Sequence, residues 1–180
     1  KTCNQNFMLD YSVSVSPLGE IEGFPVRPGL FDVFGAMPLP SGVNFTIHTH
    51  GGTSCELLLF RKGAEEPYAV LPFPEEYKIG DVYSMMVFGL EVEEFEYAYR
   101  IDGPYDPEKG LLFDKKNILL DPYARAVTGR VLGSQSQEHY HARVVKDAFD
   151  WGTMPQSKKE LNELVIYELH VRGFTKHPSS

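Results

Sequence analysis

Two histidine pairs, His48-Thr-His50 and His139-Tyr-His141, carry the densest ligand chemistry in the sequence. Residues two apart on an extended strand project to the same side, so each pair could offer two imidazoles to one metal ion. A zinc site needs three or four ligands, and no further cysteine or histidine stands at motif spacing to either pair. All four are read as exposed strand and loop histidines, and no metal is expected. The two cysteines, Cys3 and Cys55, are too few for a disulfide framework. Cys55 lies in an apolar run and is expected as a buried free thiol. Acidic residues are plentiful, but no pair stands in a context suggesting a nucleophile and a proton donor. No phosphate-cradling glycine loop or nucleophile elbow occurs, and no cofactor is expected.

The elements that would position such residues must come from 180 residues, room for one domain and a remnant. At 42% hydrophobic and 23% charged, the composition is that of an ordinary globular chain. Seventeen basic against 25 acidic residues give a net charge of −8, which argues against nucleic acid and anionic membranes as partners. No run approaches the ~20 apolar residues of a membrane helix, and Lys1 to Asp10 contain no secretory apolar core. Together with the sparse cysteines, this suits a reducing cytoplasm, the expected localisation.

Hydrophobic alternation predicts strands. Tyr11-Ser-Val-Ser-Val15 reads as an edge strand, and the breaker-rich stretch from Pro25 to Gly42 as turns and extended chain. Gly42 to His50 places Val43, Phe45 and Ile47 on one face, and Gly51-Gly52 turns the chain into Cys55-Glu-Leu-Leu-Leu-Phe-Arg61. Val82 to Phe88 is a third strand. Glu94 to Ile101 is the clearest, with Phe95, Tyr97, Tyr99 and Ile101 on one face and Glu94, Glu96 and Arg100 on the other. Short strands parted by turn clusters predict an all-β, immunoglobulin-like antiparallel sandwich. The run Val165-Ile-Tyr-Glu-Leu-His-Val-Arg-Gly-Phe-Thr175 is different, because its apolar residues do not alternate. That pattern fits a strand buried on both faces, as in a parallel sheet. A parallel strand needs a crossover of a dozen or more residues to reach a neighbour, so this run is expected to open a further, truncated domain.

Three blocks give a more specific reading: Ser41-Gly-Val-Asn-Phe-Thr46 with Cys55 to Phe60; Tyr97-Ala-Tyr-Arg-Ile-Asp-Gly-Pro-Tyr-Asp-Pro107 with Leu119-Leu-Asp-Pro-Tyr-Ala-Arg-Ala126; and Phe149-Asp-Trp-Gly152 followed by Val165 to His177. In this order they resemble the front of isoamylase-type debranching enzymes of the α-amylase superfamily. There, a family-48 carbohydrate-binding module precedes a catalytic (β/α)8 barrel. The sequence departs from the pattern at the longer entry Arg27 to Met37, at Tyr83 where many relatives carry tryptophan, and at Leu112-Phe-Asp114.

The resemblance implies an N-terminal extension over 1–22, the module over 23–129, a linker over 130–160 and the first strand of the truncated barrel over 161–180. It implies the front part of a glycoside hydrolase that cleaves α-1,6 branch linkages in glycogen- or starch-type glucans. The alternatives are a stand-alone α-glucan-binding module and the equivalent part of a pullulanase. The hydrolytic carboxylates of the family lie on later barrel strands, so no catalytic residue is assigned and the chain alone is expected to be inactive. Glu168 is mid-strand in this reading, with a structural role, hydrogen-bonded within the barrel or to His170. Tyr83 and Trp151 are the candidates for stacking on a sugar ring, and Tyr105 and Tyr123 suit a domain seam. The partner implied is α-glucan, and self-association through the 165–174 strand is a further expectation.

Overall fold

The computed structural model of the protein describes residues 14–128, 140–146, 150, 152 and 159–179. The chain divides into two compact units, Lys1–Asp147 and Ala148–Ser180. Trp151 and the greater part of the expected Tyr11–Val15 strand lie outside the described residues.

Thirteen strands are described in the first unit: β1 Gly19–Ile21, β2 Phe24–Pro28, β3 Gly35–Leu39, β4 Gly42–His48, β5 Ser54–Arg61, β6 Ala69–Pro72, β7 Lys78–Ile79, β8 Val82–Phe88, β9 Phe95–Asp102, β10 Tyr105–Asp106, β11 Leu111–Leu112, β12 Ala126–Thr128 and β13 His141–Arg143. One sheet runs β1-β2-β8-β4-β3, with β7 also on β8, and the other runs β12-β13-β9-β5-β6. β10 and β11 form a separate hairpin. Every pairing between these strands is antiparallel. The immunoglobulin-like sandwich expected from the alternation is therefore the fold.

Its core follows from the register. Val43, Phe45 and Ile47 of β4 stand opposite Val87, Met85 and Tyr83 of β8. Across the sandwich, Cys55, Leu57 and Leu59 of β5 stand opposite Ile101, Tyr99 and Tyr97 of β9. All twelve are buried in one apolar cluster, as the period of two requires. Aromatic rings knit the layers: Phe45 meets Tyr97 edge-on at 5.3 Å, and Phe73 meets Tyr83 edge-on at 5.9 Å.

The breaker-rich stretch holds two strands that the residues did not announce. Pro25 lies just before Val26, the first residue of β2 paired with β8. β3, which carries Pro38, lies at a sheet edge. Proline is tolerated at such places because no ladder donor is lost there.

Alternation also hid something on the outer face of the first sheet. Asn44, Thr46 and Ser84 point away from the core, yet all three are completely buried. The segment after β2 lies over them. Asn44 Oδ1 accepts from Leu30 N at 2.7 Å, Asn44 Nδ2 donates to Val33 O at 3.3 Å, and Thr46 Oγ1 donates to Leu30 O at 2.9 Å. Small polar side chains on a strand here serve as hooks for a loop backbone, which satisfies donors and acceptors that burial would otherwise orphan. Gly29 makes this clasp sterically possible: a Cβ there would overlap Ser84 Oγ and Asn44 Oδ1 and come within 2.8 Å of Met85 N. Gly29→Ala is expected to cost about 1–3 kcal/mol, as overpacking does. The check is a lower urea midpoint with an unchanged m-value.

In the second unit, residues 164–170 form no strand and Val171–Phe174 forms a single helical turn, α1. The strand expected over 165–175 is thus not formed. Its backbone groups find no neighbouring strand among the described residues, and a strand exists only by pairing. Val165, Ile166, Val171 and Phe174 are exposed. Glu168 is exposed and does not engage His170, whose Nδ1 accepts from Gly173 N at 3.0 Å.

Candidate functional site

Tyr83, one of the two candidates for stacking on a sugar, is 1% exposed. It sits on the core face of β8, with Phe73 against its ring, Lys78 Nζ 5.0 Å from its centroid and its hydroxyl 3.5 Å from Gly52 O. No face of the ring is open to a ligand. Its position on an alternating strand carried that signal, because Tyr83, Met85 and Val87 share one side.

The more organised region is the segment 103–124, which lies across the end of β9. Leu119 makes both backbone hydrogen bonds with Tyr99, at 2.8 and 2.9 Å, so this segment pairs with the same edge of β9 as β13 does. Two residues later the chain delivers Asp121 into the interior, 2% exposed. Its Oδ2 accepts from the Tyr97 hydroxyl at 2.8 Å, and its Oδ1 accepts from Tyr123 N at 2.8 Å. Burial pushes the carboxyl above the usual carboxylate range, and the two donors pull it part of the way back. Burial and the neighbouring Asp121 charge both push the Tyr97 hydroxyl up. Pro122 and the Asp121–Tyr123 turn then present Tyr123 outward, where it stacks on Phe34 at 4.9 Å and 28°. Gly35, at φ +84, lets β3 pass beneath: a Cβ there would meet Tyr123 O at 3.0 Å. The Leu-Asp-Pro-Tyr-Ala block is therefore a buried carboxylate anchor that fixes a half-exposed aromatic pair. Sequence reading placed Tyr123 at a seam but did not single out Asp121, although a lone acid between two leucines and a proline was the available signal.

The turn after β9 is equally constrained. A Cβ on Gly103 would lie 2.7 Å from the Phe113 ring and 3.1 Å from Gly51 O, and Leu111 closes on Gly51. The loops that follow β4 and β9 thus grip Leu111 and Phe113. Outside them lies a groove of about 320 Å³, floored by Ile101, Leu111 and Leu119 and rimmed by His50, Lys109 and Asp114. The rim charges are already engaged: His50 Nδ1 meets Asp81 Oδ2 at 2.8 Å, and Lys109 Nζ meets Asp106 Oδ2 at 2.9 Å. Tyr105 and Leu112, directly opposite each other on β10 and β11, both stand exposed.

The histidines part company. His48 and His50 are exposed, as expected. His141 is buried, which corrects the reading of it as an exposed loop residue. β13 pairs with β9 and brings His141 onto Phe60, stacked at 3.8 Å, with its Nδ1 3.1 Å from Glu96 Oε2. The outer face of β9, which carries Glu96 and Arg100, is thus covered: Glu96 is paired and Ala98 is buried with Leu58 and Phe60. Arg100 meets Glu56 at 3.3 Å. Among the described residues no group of three or more histidines, cysteines and acids could hold a metal ion.

A family model, carbohydrate-binding module 48, the isoamylase N-terminal domain, matches residues 33–124, which include the 103–124 segment but not β13. The chain belongs to this family. Named relatives extend the match beyond the module. Isoamylase SU1, chloroplastic, of Zea mays is 34% identical over 86% of this chain and 21% of its own length. Isoamylase 1, chloroplastic, of Oryza sativa subsp. japonica is 36% identical over 86% of this chain and 21% of its own. The glycogen debranching enzyme of Serratia proteamaculans is 32% identical over 85% of this chain and 25% of its own. The chain therefore spans about a fifth to a quarter of the length of the curated relatives it matches. Among the described residues, no helix of the module or of the second unit is long and apolar enough to cross a membrane.

Proposed function

We propose that the chain is the front part of an isoamylase-type enzyme that hydrolyses α-1,6 branch linkages in glycogen- or starch-type glucans. The observation that carries this reading is the identity of 32–36% to isoamylases and a glycogen debranching enzyme, running over more than four fifths of the chain and well past the module itself. Glycoside hydrolysis needs two carboxylates flanking the scissile bond. In this reading they belong to the portion of the relatives that this chain does not span, and the module shapes and supports that portion. The exposed Phe34–Tyr123 pair and Tyr105, held by Asp121 and the Gly103 turn, supply contact surface for such packing. The exposed apolar residues of 165–174 also support association with a second copy when the chain stands alone. The cytoplasmic assignment rests on the buried free thiol of Cys55.

Expression of the whole open reading frame that contains these residues tests the reading. With branched glycogen, the complete protein is expected to release linear chains, seen as new reducing ends and a deeper iodine stain. The 180-residue chain is expected to release none. Cleavage of pullulan in preference to glycogen would transfer the assignment to a pullulanase. An inactive complete protein would overturn it.

A further inference from the structure

Asp102-Gly103 is the one place in the sequence where an aspartate or asparagine precedes a glycine. That order has a chemical consequence. The backbone nitrogen of the second residue can attack the side-chain carboxyl of the first, and glycine, without a Cβ, neither shields that nitrogen nor restricts the rotation needed. As the bond from Gly103 N to Asp102 Cγ forms, the carboxyl hydroxyl leaves as water with the amide proton, giving a five-membered succinimide. Water then reopens the ring. Attack at Cγ restores aspartate. Attack at the former backbone carbonyl breaks its bond to Gly103 N and routes the chain through the side chain, as isoaspartate. The water lost is regained, so only the connectivity changes.

The structure sets the reacting atoms side by side and withholds the orientation they need. Gly103 N donates to Asp102 Oδ1 at 2.9 Å. Ring closure requires that nitrogen close to the plane of Asp102 Cα, Cβ and Cγ, whereas extended backbone turns it away by roughly a right angle. Asp102 closes β9 and is tied into the sheet: it stands opposite Ser54, and its carbonyl accepts from Thr53 N at 2.8 Å. Gly103 is wedged between the Phe113 ring and Gly51 O, too closely for a Cβ unless Phe113 moves. Pro104 restricts it from the other side. The packing thus favours glycine at 103, which makes the pair labile, and the same packing restrains it. Both residues are only half-buried, so water reaches them once the turn opens.

We propose that Asp102-Gly103 is an isoaspartate-forming site, held closed by the grip of Phe113 and Gly51 on Gly103 and opened by local unfolding of the 103–113 turn. The extra backbone carbon of the product displaces Gly103 from its niche. The grip on Phe113 is then lost, and the β10–β11 hairpin with Tyr105 shifts. Modification at this one bond therefore releases the whole turn.

The test is to age the 180-residue chain at neutral pH and 37 °C in oxygen-18 water. Each passage through the ring leaves one heavy oxygen at Asp102, which peptide mass spectrometry locates. The parent should take up label slowly, and the urea-unfolded chain at least about tenfold faster, because opening limits the folded rate. Phe113→Ala should label at least about fivefold faster than the parent while still melting cooperatively, since Phe113 is half-buried. Phe113→Leu, which keeps part of the contact, should fall between them and carries the comparison if the alanine variant does not fold. Labelling of both Phe113 variants at the parent's rate would overturn the proposal, because the grip would then hold nothing. A folded parent that labels as fast as the unfolded chain would overturn it as well.

Discussion

Tyr83→Ala is expected to lower the stability of the module by about 3–5 kcal/mol, the cost of removing a buried aromatic ring from a packed core. The ring lies opposite Ile47 and edge-on to Phe73, with 1% of its surface exposed. Its removal leaves a void that neighbours on two rigid sheets cannot close. Against a typical total of about 5–15 kcal/mol, such a loss brings the chain near the edge of folding. Tyr83→Phe separates packing from hydrogen bonding. The hydroxyl reaches Gly52 O only at 3.5 Å, so this change should cost under about 1 kcal/mol. Urea unfolding of both variants checks this. A Tyr83→Ala variant that kept its midpoint but lost affinity for glucan would show the ring to be a ligand platform, as the relatives' tryptophan suggested.

Asp121→Ala should be nearly as damaging, by a different route. It strips the acceptor from the Tyr97 hydroxyl and from Tyr123 N, and the buried Tyr97 hydroxyl left unpaired costs about 1–3 kcal/mol. Relief from burying a carboxylate offsets part of this. The consequence should be local as well as global, with Tyr123 released from Phe34 and the 119–124 segment exchanging its amides faster. Asp121→Asn is the informative companion. Its Oδ1 still accepts from Tyr123 N, and its Nδ2 can donate to the Tyr97 oxygen, so the structure is retained while the titration is removed.

The sign of the pH effect follows from the raised carboxyl. Asp121 holds its proton more tightly when folded than when unfolded. Its contribution is therefore fully present below the unfolded value of about 3.9 and is lost as pH rises through the higher folded value. The stability of the parent minus that of Asp121→Asn should fall as pH rises through that window, then level. A difference that instead grew with pH would mean that the two donors outweigh burial, leaving the carboxylate the favoured form.

Several features were legible without coordinates. Hydrophobic patterning placed β4, β5, β8 and β9, and period-two alternation gave the buried faces of β4 and β9, because a sandwich strand exposes its register directly in its side chains. The Asp-Gly-Pro and Asp-Pro turns were readable from local backbone restriction. Those same blocks, in order, carried the family. Cys55 was readable as a buried thiol from its apolar run, and the structure buries it free.

The rest required tertiary structure. Nothing local in Asn44, Thr46 or Ser84 says that a loop will cover them, since Asn44 and Thr46 meet Leu30 and Val33, eleven or more residues away, and Ser84 meets Thr46 across the sheet. His141 read as a solvated histidine because its partners, Phe60 and Glu96, are brought to it only by the pairing of β13 with β9. Asp121 is an ordinary acid in the sequence and becomes an anchor through one hydroxyl on β9. The run 165–174 shows the same division from the other side. Its residues prescribe a strand buried on both faces, but a strand is a relation between segments, and with no neighbour to pair with among the described residues it forms no strand and one helical turn. Periodicity and turn chemistry are properties of a stretch of chain, and the sequence determines them by itself. Burial of a polar group, the pairing of an acid and the existence of a strand are properties of two stretches at once, and only the fold decides them.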